Sequence, residues 1–153
     1  MINKAKQILA DNFVLDLSEW DLILESSMQE ISPDYLKSTI KYHVEYFGGY
    51  NLSFIIYDHQ RPIGLFPLFV YEIDHLWHLS GNGLVLVKPL FIAGIGRKTK
   101  KQIEKKIMYS LYDIAQTLKV ATIRLSETEK VLSAWYLLWL QNATRAFLSY
   151  RLE

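Results

Sequence analysis

Residues 91–101 read FIAGIGRKTKK and mark the point at which the hydrophobic pattern changes its period. Before this stretch the chain is rich in apolar runs of strand length. After it, apolar residues return every three or four positions. Gly94 and Gly96 stand one residue apart in between, directly before a basic segment. An apolar run, a glycine turn and a helical pattern in this order predict a strand-to-helix connection in a mixed α/β fold.

The segment after the turn predicts the main helix of the protein. Its apolar residues recur at i, i+4, i+8, i+11 and i+15, namely at Ile103, Ile107, Leu111, Ile114 and Leu118. This spacing places them on one face of a helix, which we expect to pack against the core. Six basic residues lie within residues 97–106 and would occupy the opposite, solvated side.

The segment before the turn predicts antiparallel strands. Residues 52–57 (LSFIIY) and 63–73 (IGLFPLFVYEI) flank a turn at residues 58–62, which is typical of a hairpin. Gly64 and Pro67 lie inside the return strand, so we expect a bulge or a kink there. Two further strands are predicted at residues 76–80 and 83–87.

Three helices and a strand are predicted nearer the N-terminus. Residues 3–11 indicate a short helix, and residues 12–17 (NFVLDL) a first strand. Ser18 and Asp21 have the spacing of a capping box for a helix that extends to Ile31. The sequence Ser-Pro-Asp at residues 32–34 begins another helix, which Gly48 and Gly49 end.

The C-terminal third predicts a strand, a helix and a last strand. Residues 120–125 (VATIRL) form the first of these, and Ser126 with Glu129 would cap a helix that carries Trp135 and Trp139. Residues 146–152 (AFLSYRL) would close the fold. The predicted order is β-α-α-β-β-β-α-β-α-β, an α/β (α+β) arrangement in a single domain over residues 1–153.

Composition narrows the class of protein. Half of the 153 residues are hydrophobic and 22% are charged, as in globular proteins. The net charge of +1 gives no overall field to attract a polyanion, and the absence of cysteine excludes disulfides and thiolate chemistry. No signal-peptide core and no apolar stretch of transmembrane length occurs. We therefore expect a cytoplasmic protein without a membrane partner.

The predicted order resembles the GNAT fold of acyl-CoA-dependent N-acyltransferases, in which a mainly antiparallel central sheet is flanked by helices. Residues 54–72 (FIIYDHQRPIGLFPLFVYE) and the lysine-rich helix that ends in DIAQTLKVATIRL are most similar to the N-terminal half of FemAB-like proteins. Those are two-domain transferases that use aminoacyl-tRNA or acyl donors. The resemblance implies that this chain is one half of such a pair or a stand-alone relative.

The resemblance implies a cofactor site at the glycine turn. Backbone N–H groups at the start of a helix bind phosphate, and glycines let the phosphate approach. Acyl-CoA is the implied cofactor, and the implied binding residues are Gly94, Ile95, Gly96, Arg97 and Lys98. The family's polar residue three positions before the first glycine is absent. Phe91 stands there instead, and lysines crowd the start of the helix.

The resemblance also implies an acid–base pair. The family often takes its base from the strands before the glycine turn and its acid from a tyrosine on the helix after the fifth strand. Glu72 or Asp74 and Tyr136 occupy those places. The structural alternatives are that Glu72 is a surface charge at a strand end and that Tyr136 packs in the core beside the tryptophans.

A metal site is not expected. His75 and His78 are three residues apart, with Glu72 and Asp74 close by. Residues three apart on a strand face opposite sides of the sheet, so the two imidazoles would diverge.

Two kinds of partner are expected. The aromatic helix is apolar on more than one side, which favours a homodimer mate or a second GNAT-like domain at Trp135 and Trp139. A tRNA donor would contact basic residues of the main helix, which are Arg97, Lys98, Lys100, Lys101 and Lys105. Two other functions stay open, namely a non-catalytic half domain that binds acceptor or partner and a polyanion-binding module at residues 97–106.

Overall fold

A computed structural model describes residues 1–27, 31–81, 85–125 and 133–142. Within these ranges the helices are Ile2–Ala10 (α1), Trp20–Ser26 (α2), Lys37–Phe47 (α3), Arg97–Leu118 (α4) and Ala134–Asn142 (α5). The strands are Tyr50–Asn51 (β1), Phe54–Asp58 (β2), Arg61–Phe66 (β3), Phe69–Ile73 (β4), Leu76–Ser80 (β5) and Leu90–Phe91 (β6). The predicted mixed α/β class is confirmed.

The strands form two small antiparallel sheets instead of one central sheet. Their orders are β1-β4-β5 and β2-β3-β6. The predicted strand at residues 63–73 is interrupted at Pro67 and Leu68, and the strand opposite it is interrupted at Leu52 and Ser53. The Ser53 hydroxyl accepts a hydrogen bond from the Leu68 N–H at 2.9 Å and donates one to the Leu68 carbonyl at 3.1 Å. Proline has no N–H to donate to a neighbouring strand. At this point the paired chain segments pass together from the β2-β3-β6 sheet to the β1-β4-β5 sheet.

The hairpin details follow the sequence closely. The register between β2 and β3 shifts after the Ile56–Gly64 pair, so that Tyr57 lies opposite Pro62 and Ile63 is the extra residue. This bulge confirms the irregularity predicted inside the return strand. β5 has its predicted bounds, and the turn before it has positive φ at Asp74 (51°) and His75 (65°), as in a two-residue hairpin turn.

The main helix is the centre of the core. The five residues predicted for its core face are all buried, namely Ile103, Ile107, Leu111, Ile114 and Leu118. Helix α1 packs against α4. α4 ends where Lys119 adopts a left-handed conformation with φ 58°. In α3 the left-handed residue is Gly48, with φ 70°, which confirms the predicted helix end.

The predictions for residues 12–31 are wrong in part. Only Val14 in the predicted first strand pairs with another strand, through a single antiparallel bridge to Ile55. The Asp16 side chain accepts a hydrogen bond from the Ser18 N–H at 3.0 Å, a local turn that competes with strand pairing. The cap of α2 is Glu19 and not Ser18, and α2 ends at Ser26.

The segment after α4 forms less strand than predicted. Of residues 120–125, Leu125 alone makes a bridge, which is parallel to Leu86. The Leu86 N–H donates to the Arg124 carbonyl at 2.7 Å. The predicted capping box at Ser126 and Glu129 and the predicted strand at residues 146–152 lie outside the described residues. No helix among the described residues is both long enough and apolar enough to cross a membrane.

Candidate functional site

The glycine turn before α4 is open to solvent. Gly94 has φ +85°, and Gly96, at the N-cap of α4, has an extended conformation with φ −66° and ψ 151°. A Cβ atom at either position would meet no other atom within 4 Å. The Ala93 N–H donates to the Ser26 carbonyl at 3.1 Å, which fixes the base of the turn to the end of α2.

The start of α4 has unsatisfied backbone donors. The first N–H groups of any helix have no partner within it, and no side chain caps α4 at this end. The positive end of the helix dipole lies at the same place. The turn therefore presents open backbone donors next to basic side chains.

A groove of about 550 Å³ runs from this turn between α4 and α5. On the α4 side its described lining residues are Ile95, Arg97, Lys100, Lys101 and Glu104. On the α5 side they are Ala134, Leu137, Leu138 and Gln141. One wall is cationic and the other is largely apolar, so the groove suits an anion that carries an apolar chain.

Glu104 is a buried carboxyl group in this groove. Glu104 is 9% exposed. No hydrogen bond or salt bridge joins its carboxylate to another residue in the described part of the chain. Burial raises the pKa of Glu104 above its ordinary value of 4.5, and the charges of Lys100 and Lys88 oppose the shift. Loss of hydration destabilises a carboxylate more than a carboxylic acid.

Phe91 has a structural role next to the groove. Its ring is 7% exposed and belongs to the hydrophobic core. The Lys100 ammonium lies 5.6 Å from the centre of that ring, a distance at which a cation is attracted to the aromatic face. Phe91 therefore positions one of the cations of the groove.

The predicted cofactor residues lie together at the groove. Gly94 and Gly96 form the turn, and Ile95 and Arg97 line the groove. Lys98 is exposed in the first turn of α4 but does not belong to the lining. This arrangement is compatible with a ligand at the turn and leaves the prediction of coenzyme A binding to experiment.

The predicted acid and base lie elsewhere. Glu72 is exposed on β4, and its carboxylate is 3.8 Å from Nδ1 of His75. Asp74 is exposed in the adjoining turn. Tyr136 is half-buried on α5, whose groove-lining residues Leu137 and Leu138 face another direction. Neither Glu72 nor Tyr136 is a described lining residue of the groove.

The predicted partner surface at Trp135 and Trp139 finds no support in the two rings, because both are buried. They are 1% and 5% exposed and lie 5.5 Å apart, edge to face. Trp135 also contacts Phe66 at 5.8 Å, and Trp139 contacts Tyr112 at 5.2 Å. Spacing of four residues puts both on the core side of α5. The large apolar side chain that this helix exposes is Leu137, at 41%.

The sequence reasoning missed Glu104 as a site residue. It treated the charged residues at the start of α4 as one solvated face. Glu104 lies four residues before Met108 and seven before Leu111, both buried, so the helical period already assigned it to the inner side. An acid at a core position of an amphipathic helix was the available signal.

It also missed an aromatic column that joins α3 to the β1-β4-β5 sheet. Phe47 stacks on Tyr71 at 4.7 Å, Tyr71 stacks on His78 at 5.2 Å, and His43 stacks on Phe69 at 5.5 Å. Burial raises the pKa of the Tyr71 phenol, and the charge of Arg124 opposes the shift. His78 is part of this packed stack through its contact with Tyr71. No group of three or more metal-ligating side chains occurs in the described ranges.

Comparison with known proteins gives no relative on which to base a function. No protein-family model matches the chain, and no curated protein or solved structure matches it either. The function of this chain is therefore inferred from the chemistry of its own residues.

Proposed function

We propose that this chain is an N-acyltransferase-like domain of GNAT type that binds an acyl-CoA donor in the groove between α4 and α5. In the reaction, a neutral amine attacks the thioester carbonyl, a C–N bond forms and the C–S bond breaks. The amine loses a proton, and the departing thiolate gains one. The resemblance of the element order to the GNAT fold, and of residues 54–72 to FemAB-like proteins, motivates this assignment.

The observation that carries the proposal is the open glycine turn beside a cationic wall. A phosphate at the turn would accept hydrogen bonds from the first N–H groups of α4, and the space above Gly94 and Gly96 lets it approach. Arg97, Lys100 and Lys101 on the groove wall would supply opposite charge. Coenzyme A carries both a pyrophosphate and a 3′-phosphate, which matches a site with several cations.

The apolar wall supports a donor with a chain over a simple inorganic anion. Leu137 and Leu138 of α5 and Ile95 of the turn offer hydrocarbon surface in the same groove. Burial of apolar surface contributes about 25 cal/mol per Å². The pantetheine and acyl parts of a thioester would use this wall while the phosphates remain at the turn.

The test is thermal unfolding in the presence of acetyl-CoA. Ligand at a hundred times its dissociation constant should stabilise the native state by about 2.7 kcal/mol. The triple variant Arg97→Gln, Lys100→Gln and Lys101→Gln should lose most of that gain. A control with the same change in charge, Lys4→Gln, Lys6→Gln and Lys41→Gln, removes exposed lysines of α1 and α3 and should keep it. Absence of any shift at millimolar acetyl-CoA would refute the proposal.

A second candidate is a non-catalytic domain that binds a polyanion such as tRNA. It is favoured by the exposed cations of α4 outside the groove, which include Lys98 and Lys105, and by the positions of Glu72 and Tyr136 away from the groove. Such binding would weaken steeply with salt. A salt-sensitive stabilisation by tRNA together with no response to acetyl-CoA would select this candidate.

A further inference from the structure

We propose that Glu104 binds the anionic donor in its protonated form and donates a hydrogen bond to it, so that donor binding takes up a proton. The identity of the donor rests on the proposed function above. The assignment of Glu104 as a specificity-determining residue rests on its place in the groove.

The first line of evidence is the position of the side chain. Glu104 is buried to more than nine-tenths and lines the groove three residues after Lys101 and four after Lys100. It makes no hydrogen bond or salt bridge with the described residues. The Glu104 oxygens are not among the buried side-chain atoms that lack a partner, so they are accessible from the groove, where a ligand can contact them.

The second line of evidence is the charge around it. Three cations line the groove, Arg97, Lys100 and Lys101, and Glu104 is the acid among the described lining residues. The charges of Lys100 and Lys88 act on the carboxylate but leave its pKa raised. The described lining residues of the α5 wall, Ala134, Leu137, Leu138 and Gln141, include no charged group.

The consequence for an anion follows from electrostatics. A phosphorylated ligand near the carboxylate repels it and favours its neutral form, whose O–H can donate to a ligand oxygen. The pKa of Glu104 is then higher in the complex than in the free protein. Affinity is greatest below the free pKa and decreases as the pH rises through the pKa of the complex. One proton taken up changes the dissociation constant by at most about tenfold per pH unit.

The experiment is calorimetric titration of the protein with coenzyme A from about pH 5 to about pH 8, in two buffers that differ in ionisation enthalpy. Three proteins are compared: the unaltered chain, Glu104→Gln and Asp113→Asn. Gln retains a hydrogen-bond donor and cannot titrate. Asp113 is exposed on the same helix outside the groove, so its variant controls for the loss of one negative charge.

The expected result is a buffer-dependent proton uptake in the unaltered protein and in Asp113→Asn, and a smaller uptake in Glu104→Gln. The second ionisation of a phosphate monoester, near pH 6, contributes equally in all three. Glu104→Gln should bind at neutral pH at least as tightly as the unaltered protein. Equal proton uptake in all three proteins would overturn the proposal. So would loss of binding in a folded Glu104→Gln, which would mean that the carboxylate form is needed.

Failure of the donor assignment is distinguishable from failure of this inference. If coenzyme A does not bind any of the three proteins, the proposed function is wrong. The same titrations with inorganic pyrophosphate then test Glu104 alone. Proton uptake that depends on Glu104 would support the inference for an anion site, and its absence would refute it.

Discussion

Two pairs of nearby glycines that border helices differ in what surrounds them. Gly48 and Gly49 lie between α3 and β1, where a Cβ on Gly49 would overlap the Val70 carbonyl oxygen and lie 2.8 Å from Cβ of Tyr71. Gly94 and Gly96 lie before α4, where a Cβ would meet nothing within 4 Å. Gly49 is needed for close packing of the chain on itself, whereas Gly94 and Gly96 leave space that a ligand can enter.

A glycine in a single sequence can have either of two roles, since it can allow close packing or leave space for a ligand. Both pairs border a helix, and the sequence alone distinguishes neither their packing nor their exposure. At Gly49 the backbone of β4 fills the space that a side chain would need. At Gly96 the space stays empty next to a cationic groove. Substitutions should therefore separate a structural glycine from one that a ligand requires.

The largest effect is expected for Gly49→Ala. The added methyl group collides with backbone and not with a flexible side chain, so the end of α3 must move away from β4. We expect a decrease in the free energy of unfolding of about 3 kcal/mol, measured by urea denaturation. A decrease below about 1 kcal/mol would show that the packing at this glycine is looser than described.

A smaller decrease is expected for Gly94→Ala. Space is available, but φ +85° disfavours any side chain with a Cβ, at a cost of about 1–2 kcal/mol. Gly94→Asn should recover part of the loss, because asparagine tolerates the left-handed region. Equal stability of the Ala and Asn variants in urea denaturation would contradict a conformational origin of the effect.

Glu104→Gln should raise stability at neutral pH by less than Gly94→Ala lowers it. The folded-state pKa of Glu104 lies above its ordinary value of 4.5, so the native state binds the proton more tightly than the unfolded state. Stability of the unaltered protein therefore falls as the pH rises from below 4.5 through the folded-state pKa. The variant should lack this pH dependence, so its higher free energy of unfolding relative to the unaltered protein should disappear at low pH. Unfolding curves of both proteins across pH measure the difference.

The smallest change in stability is expected for Gly96→Ala. An extended N-cap with free space admits alanine, and the lower entropy of the unfolded chain opposes the poorer capping by alanine. The free energy of unfolding should change by less than about 0.5 kcal/mol, whereas affinity for coenzyme A should fall by about tenfold, or about 1.4 kcal/mol. A variant that is unchanged in both measurements would remove Gly96 from the proposed site.

The sequence predicted the elements that local pattern dominates and failed where distant partners decide. The buried stripe of α4 and the strand at residues 76–80 follow from periodicity alone. A kink at Pro67 was expected from the sequence. The passage of the chain from one sheet to the other at that point, however, involves the Ser53 hydroxyl, which belongs to the opposite segment. Residues 120–125 have strand composition, yet Leu125 alone forms a bridge there.

The position of the candidate site was predictable from the sequence, but the full set of residues that line it was not. The glycine turn and its cations stand out in the sequence, and the structure places them on one groove. The burial of Trp135 and Trp139 was missed because an α-helix that is apolar on several sides does not show which side faces the core. Glu104 was missed because it stands within a run of lysines, although its helical spacing to the buried Met108 and Leu111 separates it from them.

Amide chemical-shift mapping with coenzyme A tests the central claim most directly. The account predicts that the largest ¹H–¹⁵N shift changes occur at the turn of residues 94–98 and at the groove residues of α5, such as Leu137 and Gln141. The aromatic column at Phe47 and Tyr71 should remain unaffected. Saturable changes centred on that column, or no changes at millimolar coenzyme A, would contradict the account.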